Sequence, residues 1–340
     1  VGRLSTNSVI IYASPHRSNR LGHATMDAED KGHRHGNFPN YYNFHPPQNR
    51  LLILEQCGLM TYIRRGLVIG ADDDSKLGDD GSKLTLPRKK ARLDIAACAA
   101  TVGETCSIAV KDDIIYYCDL GCNEGDLTIA MALSLRKAVH NNKKQTVRCL
   151  GLDIDSKLIE RASNKFSCKG VDDKEKEEFM PVFKDCNLCS SDAHNNACSS
   201  FFADSTKTYQ EKIPRKMFSL TTIFSTTMWI HIHSGDDGLT KFLERACGWT
   251  KKYLLIEPQH SGCYRKANVR LRKMKRPEID VSAERLKMRN QIENEIEKVV
   301  TGCGFRRVKI DLEADEQVDD VRTAWNRTLQ LYERTEIDED

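Results

Sequence analysis

The chain has 340 residues, 39% hydrophobic and 30% charged, enough to bury one large core or two small ones. Its net charge of +3 is too small to mark a general polyanion binder, so any preference for an acidic partner must be local. No run of about 18 apolar residues exists to span a bilayer, and "NSVIIYA" is short and lacks a signal-peptide cleavage context, so no membrane role is expected. In a chain of this length without a secretion signal, the thirteen cysteines read as free thiols of a reducing compartment.

In chain order, residues 1–35 are polar and read as a disordered N-terminal tail, with Met26 a candidate start. "HGNFPNYYNFHPPQNR", residues 35–50, crowds four aromatics and three prolines into a stretch that suits neither a long helix nor a clean strand. An insertion of about 70–112 follows, rich in Gly, Asp, Ser and Lys, with the basic run "PRKKAR" at 87–92. Then "IIYYCDLG", "LTIAMALSLRKAV", "VRCLGLDI", "KLIERASNKF" and "FMPVFK" alternate strand and helix patterns, the signature of a parallel sheet with crossover helices. A second insertion is expected at about 169–210, and further strands at "KMFSLTTIF", "KKYLLIE", "FRRVKI" and "TLQLYE". The expectation is one α/β domain over 36–334, a seven-stranded mostly parallel sheet flanked by helices, then an acidic tail at 335–340.

The chemistry begins at "DLGCNEGDLT", residues 119–128, where Gly121 and Gly125 form a G-x-x-x-G turn between a strand and a helix. The dinucleotide fingerprint G-x-G-x-x-G is missing. Asp119 at the strand end would repel a pyrophosphate and attract a cationic ligand such as S-adenosylmethionine, while Asp153, ending the next strand, can accept both hydroxyls of a ribose. Together these point to a Rossmann-like class I methyltransferase. "CNLCSSDAHNNAC" spaces Cys186, Cys189, His194 and Cys198 one residue short of a zinc knuckle, and His231 with His233 could share one strand face, but no third ligand accompanies them and no metal is expected.

The segments "FPNYYNFHPP…R", "DLGCNEGDLT", "GLDIDSKLIERA", "TTMWIHIHSGDDGL" and "YLLIEPQ…CYRKA" resemble, in order and spacing, the bicoid-interacting-protein-three family of RNA 5′-phosphate methyltransferases. The resemblance implies S-adenosylmethionine as cofactor and a small RNA with a 5′-phosphate as partner. It implies that Tyr42 and Arg50 contact the cofactor, Arg50 through the methionine carboxylate, with Tyr41 beside the acceptor phosphate under an aromatic lid. By the same matching Gly121, Cys122 and Asn123 line the methionine and ribose, Asp153 and Ile154 the ribose and adenine edge, and Asp185 with Cys186 flank the adenine. Phe224 stands where the family has an aliphatic cofactor contact.

Met228 replaces a lysine of the branch that caps a small nuclear RNA on its γ-phosphate, so the resemblance favours the branch acting on a 5′-monophosphate, of a microRNA precursor or histidine transfer RNA. His260 and Ser261 replace the Trp and Pro that usually follow "EPQ", and stacking on the terminal base is expected to differ. A 5′-phosphate is already anionic at neutral pH and needs positioning more than a base, which assigns Tyr41, His231 and Gln259 to that task. Glu257 is either a ligand contact or a structural acid. "YRKANVRLRKMKR" offers Tyr264, Arg265, Lys266 and Arg270 as RNA contacts on one basic helix. A γ-phosphate capping enzyme and a noncatalytic RNA-binding relative are the alternatives. No DNA partner is expected, and a cytoplasmic monomer is, with "PRKKAR" the one feature that would instead suit nuclear import.

Overall fold

The computed structural model describes residues 41–67, 114–139, 145–168, 181–205, 216–309 and 321–335, apart from 274, 276 and 324. The N-terminal tail, the 70–112 insertion with its basic run, and residues 336–340 of the acidic tail lie outside these residues.

The aromatic–proline stretch becomes helical in two pieces. Tyr41–Phe44 forms α1, and α2 (Pro47–Gln56) starts on Pro47, whose fixed φ and missing N–H suit the first helical position. Gly58, at φ 76°, turns the chain into α3 (Leu59–Leu67), which buries Leu59, Met60 and Ile63. The α/β units follow as β1 (Ile114–Leu120), α4 (Asp126–Val139), β2 (Thr146–Asp153), α5 (Ser156–Cys168), β3 (Pro181–Asp185), α6 (Ser191–Ser205), β4 (Phe218–Phe224), α7 (Thr227–Trp249) and β5 (Thr250–Glu257). The chain ends with α8 (Ser261–Lys273), α9 (Ile292–Gly302), β6 (Phe305–Arg307), β7 (Val321–Arg322) and β8 (Thr328–Arg334).

The strands lie in the order β3-β2-β1-β4-β5-β8-β6, with the two-residue β7 paired to β8. β1 to β5 are parallel, whereas β8 runs antiparallel to both β5 and β6. This is the mostly parallel α/β sheet expected from the sequence, with the short β7 as an eighth strand beside the expected seven. Alternation along the strands divides the core. Ile115 and Tyr117 pack with α2, α3 and α4 on one face, while Cys118 and Leu120 pack with α6, α7 and α9 on the other. With both faces covered, the strands read as near-continuous apolar runs.

Three local expectations are corrected. Within the stretch expected as the second insertion, β3 forms at the strand read from "FMPVFK", and residues 191–205, for which no element was expected, form α6, whose Cys198 and Phe201 belong to the core. The "IHIH" segment is helix, not strand: α7 runs through it and kinks at Gly235 (φ 70°). "FRRVKI" is a strand only over Phe305–Arg307.

Candidate active site

The sheet order reverses between β1 and β4, and beyond their carboxyl ends, where doubly wound sheets take ligands, opens a cavity of about 270 Å³. One wall is the turn after β1. Gly121 holds φ 90°, and a Cβ there would lie 2.0 Å from Thr226 Oγ1, so only glycine fits. Asn123, also left-handed at φ 52°, donates its backbone N–H to Asp153 Oδ2 (2.9 Å), and Asp155 N–H holds Oδ1 (3.1 Å). Asp153 lines the cavity, its carboxyl pushed up by burial despite those bonds. Ile154 beside it is 38% exposed on the same cavity, an apolar shelf for a flat ring. Asn187, Leu188 and Cys189, in the loop after the neighbouring β3, line the cavity as well.

The other end is built around a buried ion pair. Arg50, 1% exposed, donates from Nε to Glu257 Oε2 (2.6 Å) and from Nη2 to Glu257 Oε1 (3.4 Å), Ser225 Oγ (3.0 Å) and Tyr41 Oη (3.1 Å). Arg50 Nη1 is buried without a partner among the described residues. Arg327 reaches the same acid, Nη1 to Glu257 Oε1 at 3.4 Å, and also bonds Ser225 Oγ. Burial pushes Glu257 up, but the two guanidiniums outweigh it and hold the carboxyl below its ordinary value. Burial likewise raises Tyr41, but Arg50, Arg327 and the Ser225 hydrogen bond together outweigh it, leaving the phenol below its usual value. Ser225 sits left-handed at φ 57° at the end of β4, backbone strain concentrated where the cluster converges. Tyr42 donates to Cys122 O (3.4 Å), and Tyr41, Tyr42, Phe224 and Trp229 line the cavity as an aromatic set.

Of the residues expected from the sequence, Tyr41, Tyr42, Arg50, Gly121, Asn123, Asp153, Ile154 and Phe224 line this cavity together. Others are placed differently. Asp119 lies beneath it, its oxygens taken by Thr128 (2.5 Å) and Thr222 (2.7 Å), and burial pushes its carboxyl up to about 6. Cys122 and Cys186 are buried in the apolar clusters, Asp185 is exposed, and Gly125 (φ 75°) packs on Phe183; of the loop after β3, residues 187–189 line the cavity.

His231 does not face the cavity: its ring bonds Tyr264 Oη (2.8 Å) and Asp236 Oδ1 (2.7 Å), bracing α7 across its kink. Tyr264 is fully buried in that brace and is no surface contact for RNA. Gln259 accepts from Thr227 Oγ1 (3.2 Å) and Met228 N–H (3.1 Å) and donates to Ser225 O, so it shapes the loop after β4 rather than touching a ligand. Met228 packs in an apolar cluster. Arg265, Lys266 and Arg270 are exposed on α8. Among the described residues no three His, Cys, Asp or Glu side chains converge as a metal set, those at 186, 189, 194 and 198 included.

Sequence reasoning missed Ser225, Trp325, Arg327 and residues 187–189. The only local signal was a serine just past a strand end, and Arg327 joins the site through a turn in which Asn326 holds φ 57°.

The Bicoid-interacting protein 3 (Bin3) family model matches residues 218–334, the half of the site that carries Ser225, Glu257 and Arg327. Over nearly the whole chain, the Pre-miRNA 5'-monophosphate methyltransferase of Xenopus laevis is 29% identical, covering 88% of this chain and 91% of the relative. That of Danio rerio is 27% identical over 88% and 92%, and the RNA 5'-monophosphate methyltransferase of Homo sapiens 27% over 87% and 79%. Solved structures overlap only loosely: magnesium protoporphyrin IX methyltransferase from Synechocystis PCC 6803 with bound SAH aligns at a TM-score of 0.35 with 13% identity, over 65% of this chain and 74% of that one.

Proposed function

We propose that this Bin3-type chain transfers the methyl group of S-adenosylmethionine to the 5′-monophosphate end of a small RNA. The observation that carries the proposal is the Tyr41–Arg50–Ser225 cluster closing one end of a cavity whose other end presents Asp153 and Ile154. The relatives named as 5′-monophosphate methyltransferases support the RNA end, as does Met228, where the capping branch has a lysine.

The donor set fits the cofactor. Arg50 Nη1, buried and unpartnered among the described residues, suits the methionine carboxylate, Asp153 the ribose hydroxyls and Ile154 the adenine. When bound, S-adenosylmethionine supplies a methyl group on a sulfonium, an electrophile that needs no proton transfer to react. The chain's own work is therefore positional. Tyr41 and Tyr42 would shield a bound methyl donor from water, and Arg50, bonded to both Tyr41 and Ser225, holds Tyr41 in place on the cavity wall. The acceptor phosphate, with a second pKa near 6, arrives already anionic, so no general base is assigned.

Methyl transfer from labelled S-adenosylmethionine to one hairpin RNA bearing a 5′-monophosphate, a 5′-triphosphate or a 5′-hydroxyl tests this. Label on the monophosphate alone is expected. Label chiefly on the triphosphate would move the chain to γ-phosphate capping, and label on none would leave a noncatalytic RNA-binding relative.

A further inference from the structure

Seven buried side-chain polar atoms have no hydrogen-bond partner among the described residues, and three of them, His45 Nδ1, Arg50 Nη1 and Arg327 Nε, belong to one cluster. The ring of Trp325 ties them together, 4.6 Å from the His45 ring and 4.8 Å from Arg50 Cζ, while Arg327 shares Glu257 and Ser225 with Arg50. Two guanidiniums face one carboxylate, so the cluster carries one uncompensated positive charge, and charge that is both buried and unpaired is costly. Buried guanidinium donors without partners, beside an imidazole nitrogen that one tautomer makes a donor, and an excess cation describe an anion site.

A methionine carboxylate on Arg50 Nη1 accounts for that donor and for the excess charge, and leaves Arg327 Nε and His45 Nδ1 without partners among the described residues. Arg50 is sealed at 1% exposure, but the Arg327 side chain is 14% exposed and touches the acid only through Nη1. Lys266 and Arg270 of α8 add positive field here, at His260 and His45 respectively, each of which is kept neutral by burial first and by neighbouring cations second.

We propose that Arg327, with His45 beside it, is the residue that reads the 5′-phosphate of the acceptor RNA and distinguishes it from a 5′-hydroxyl end. The assignment rests on the reaction proposed above. A phosphate supplies several acceptor oxygens and negative charge at the Arg327 end of the cluster, whereas a hydroxyl end leaves the Arg327 Nε donor unmet. Charge-assisted hydrogen bonds of this kind are among the stronger ones.

The test is the affinity of the full chain, saturated with S-adenosylhomocysteine, for one hairpin RNA with either a 5′-monophosphate or a 5′-hydroxyl end. Wild type is expected to prefer the monophosphate by about tenfold or more. Arg327→Gln is expected to bring that ratio near one while leaving hydroxyl-ended RNA and S-adenosylhomocysteine bound as before, and Arg327→Lys to retain part of the preference. An Arg327→Gln protein that keeps the wild-type ratio, or weakens both RNAs and the cofactor product equally, overturns the proposal, since a purely structural arginine would not move the ratio. If Arg327→Gln does not fold, the ratio of Arg327→Lys decides: undiminished preference refutes. Wild type that methylates the monophosphate with no change in the variants sinks Arg327 alone; wild type with neither preference nor transfer sinks the reaction as well.

Discussion

Glu257 is the sole carboxylate bonded to Arg50 and Arg327 among the described residues, and Glu257→Gln tests that arrangement without reference to any substrate. Both Glu257 and Arg50 are sealed from solvent, at 0% and 1% exposure, and Arg50 Nε meets the carboxylate at 2.6 Å. Two unit charges about 4 Å apart attract by about 4 kcal/mol at an effective dielectric of ~20. Removing one partner from a buried pair typically costs about 3–5 kcal/mol, because the other charge is left uncompensated. Here two guanidiniums would be left, so unfolding of Glu257→Gln by denaturant should show a loss of about 3–5 kcal/mol. Phosphate or sulfate should stabilise the variant more than wild type by supplying the missing countercharge. The sign with pH follows: burial raises this carboxyl, the two arginines more than reverse it, and its folded pKa lies below the unfolded one. Its stabilisation is therefore present above the unfolded carboxylate pKa and lost as pH falls through the depressed folded value, a limb that Glu257→Gln should lack. A loss under about 1 kcal/mol, with no selective anion effect, would refute a charge balance resting on Glu257.

Asp119 should titrate in the opposite sense. Burial raises its carboxyl from 3.8 to about 6, so the native state holds the proton more tightly and wild-type stability should fall as pH rises between those values, by up to about 3 kcal/mol, relative to Asp119→Asn. His45 and His194, each pushed down to about 4 by burial, favour the native state as pH rises over the same window, so the wild-type-minus-variant difference is the quantity to measure; a flat difference is the contrary result. Gly125→Ala combines a left-handed φ of 75° with a Cβ 2.6 Å from the Phe183 ring, and should cost about 2–4 kcal/mol in thermal or chemical unfolding. Adding Phe183→Leu should recover the steric part; additive losses would show that the ring is not what excludes the methyl.

How much was legible depended on how local each interaction is. Strand periodicity, the Gly121–Gly125 turn and the acid ending β2 are short-range patterns, and they led to the correct sheet and to Asp153 on the cavity. The "IHIH" pair misled because period two mimics a strand. On a helix, residues two apart point about 200° from each other, so His231 turns inward to Tyr264 and Asp236 while His233 lines the cavity. Ser225 and Arg327 were illegible for a different reason. Arg50 meets Ser225 across 175 positions, and Arg327 meets Ser225 across 102, contacts created by β4 and β8 flanking β5. No window of sequence contains both partners. Such long-range polar pairs also fasten α2 to the carboxyl edge of the sheet, because Arg50 is on α2 and Glu257 ends β5. The ion pair that closes the cavity is thus also a fold contact. On the proposed reading, substitutions at Arg50 or Glu257 would mix stability with cofactor affinity, whereas Arg327, partly exposed and bonded to Glu257 only through Nη1, is where an effect on RNA binding would separate best from one on folding.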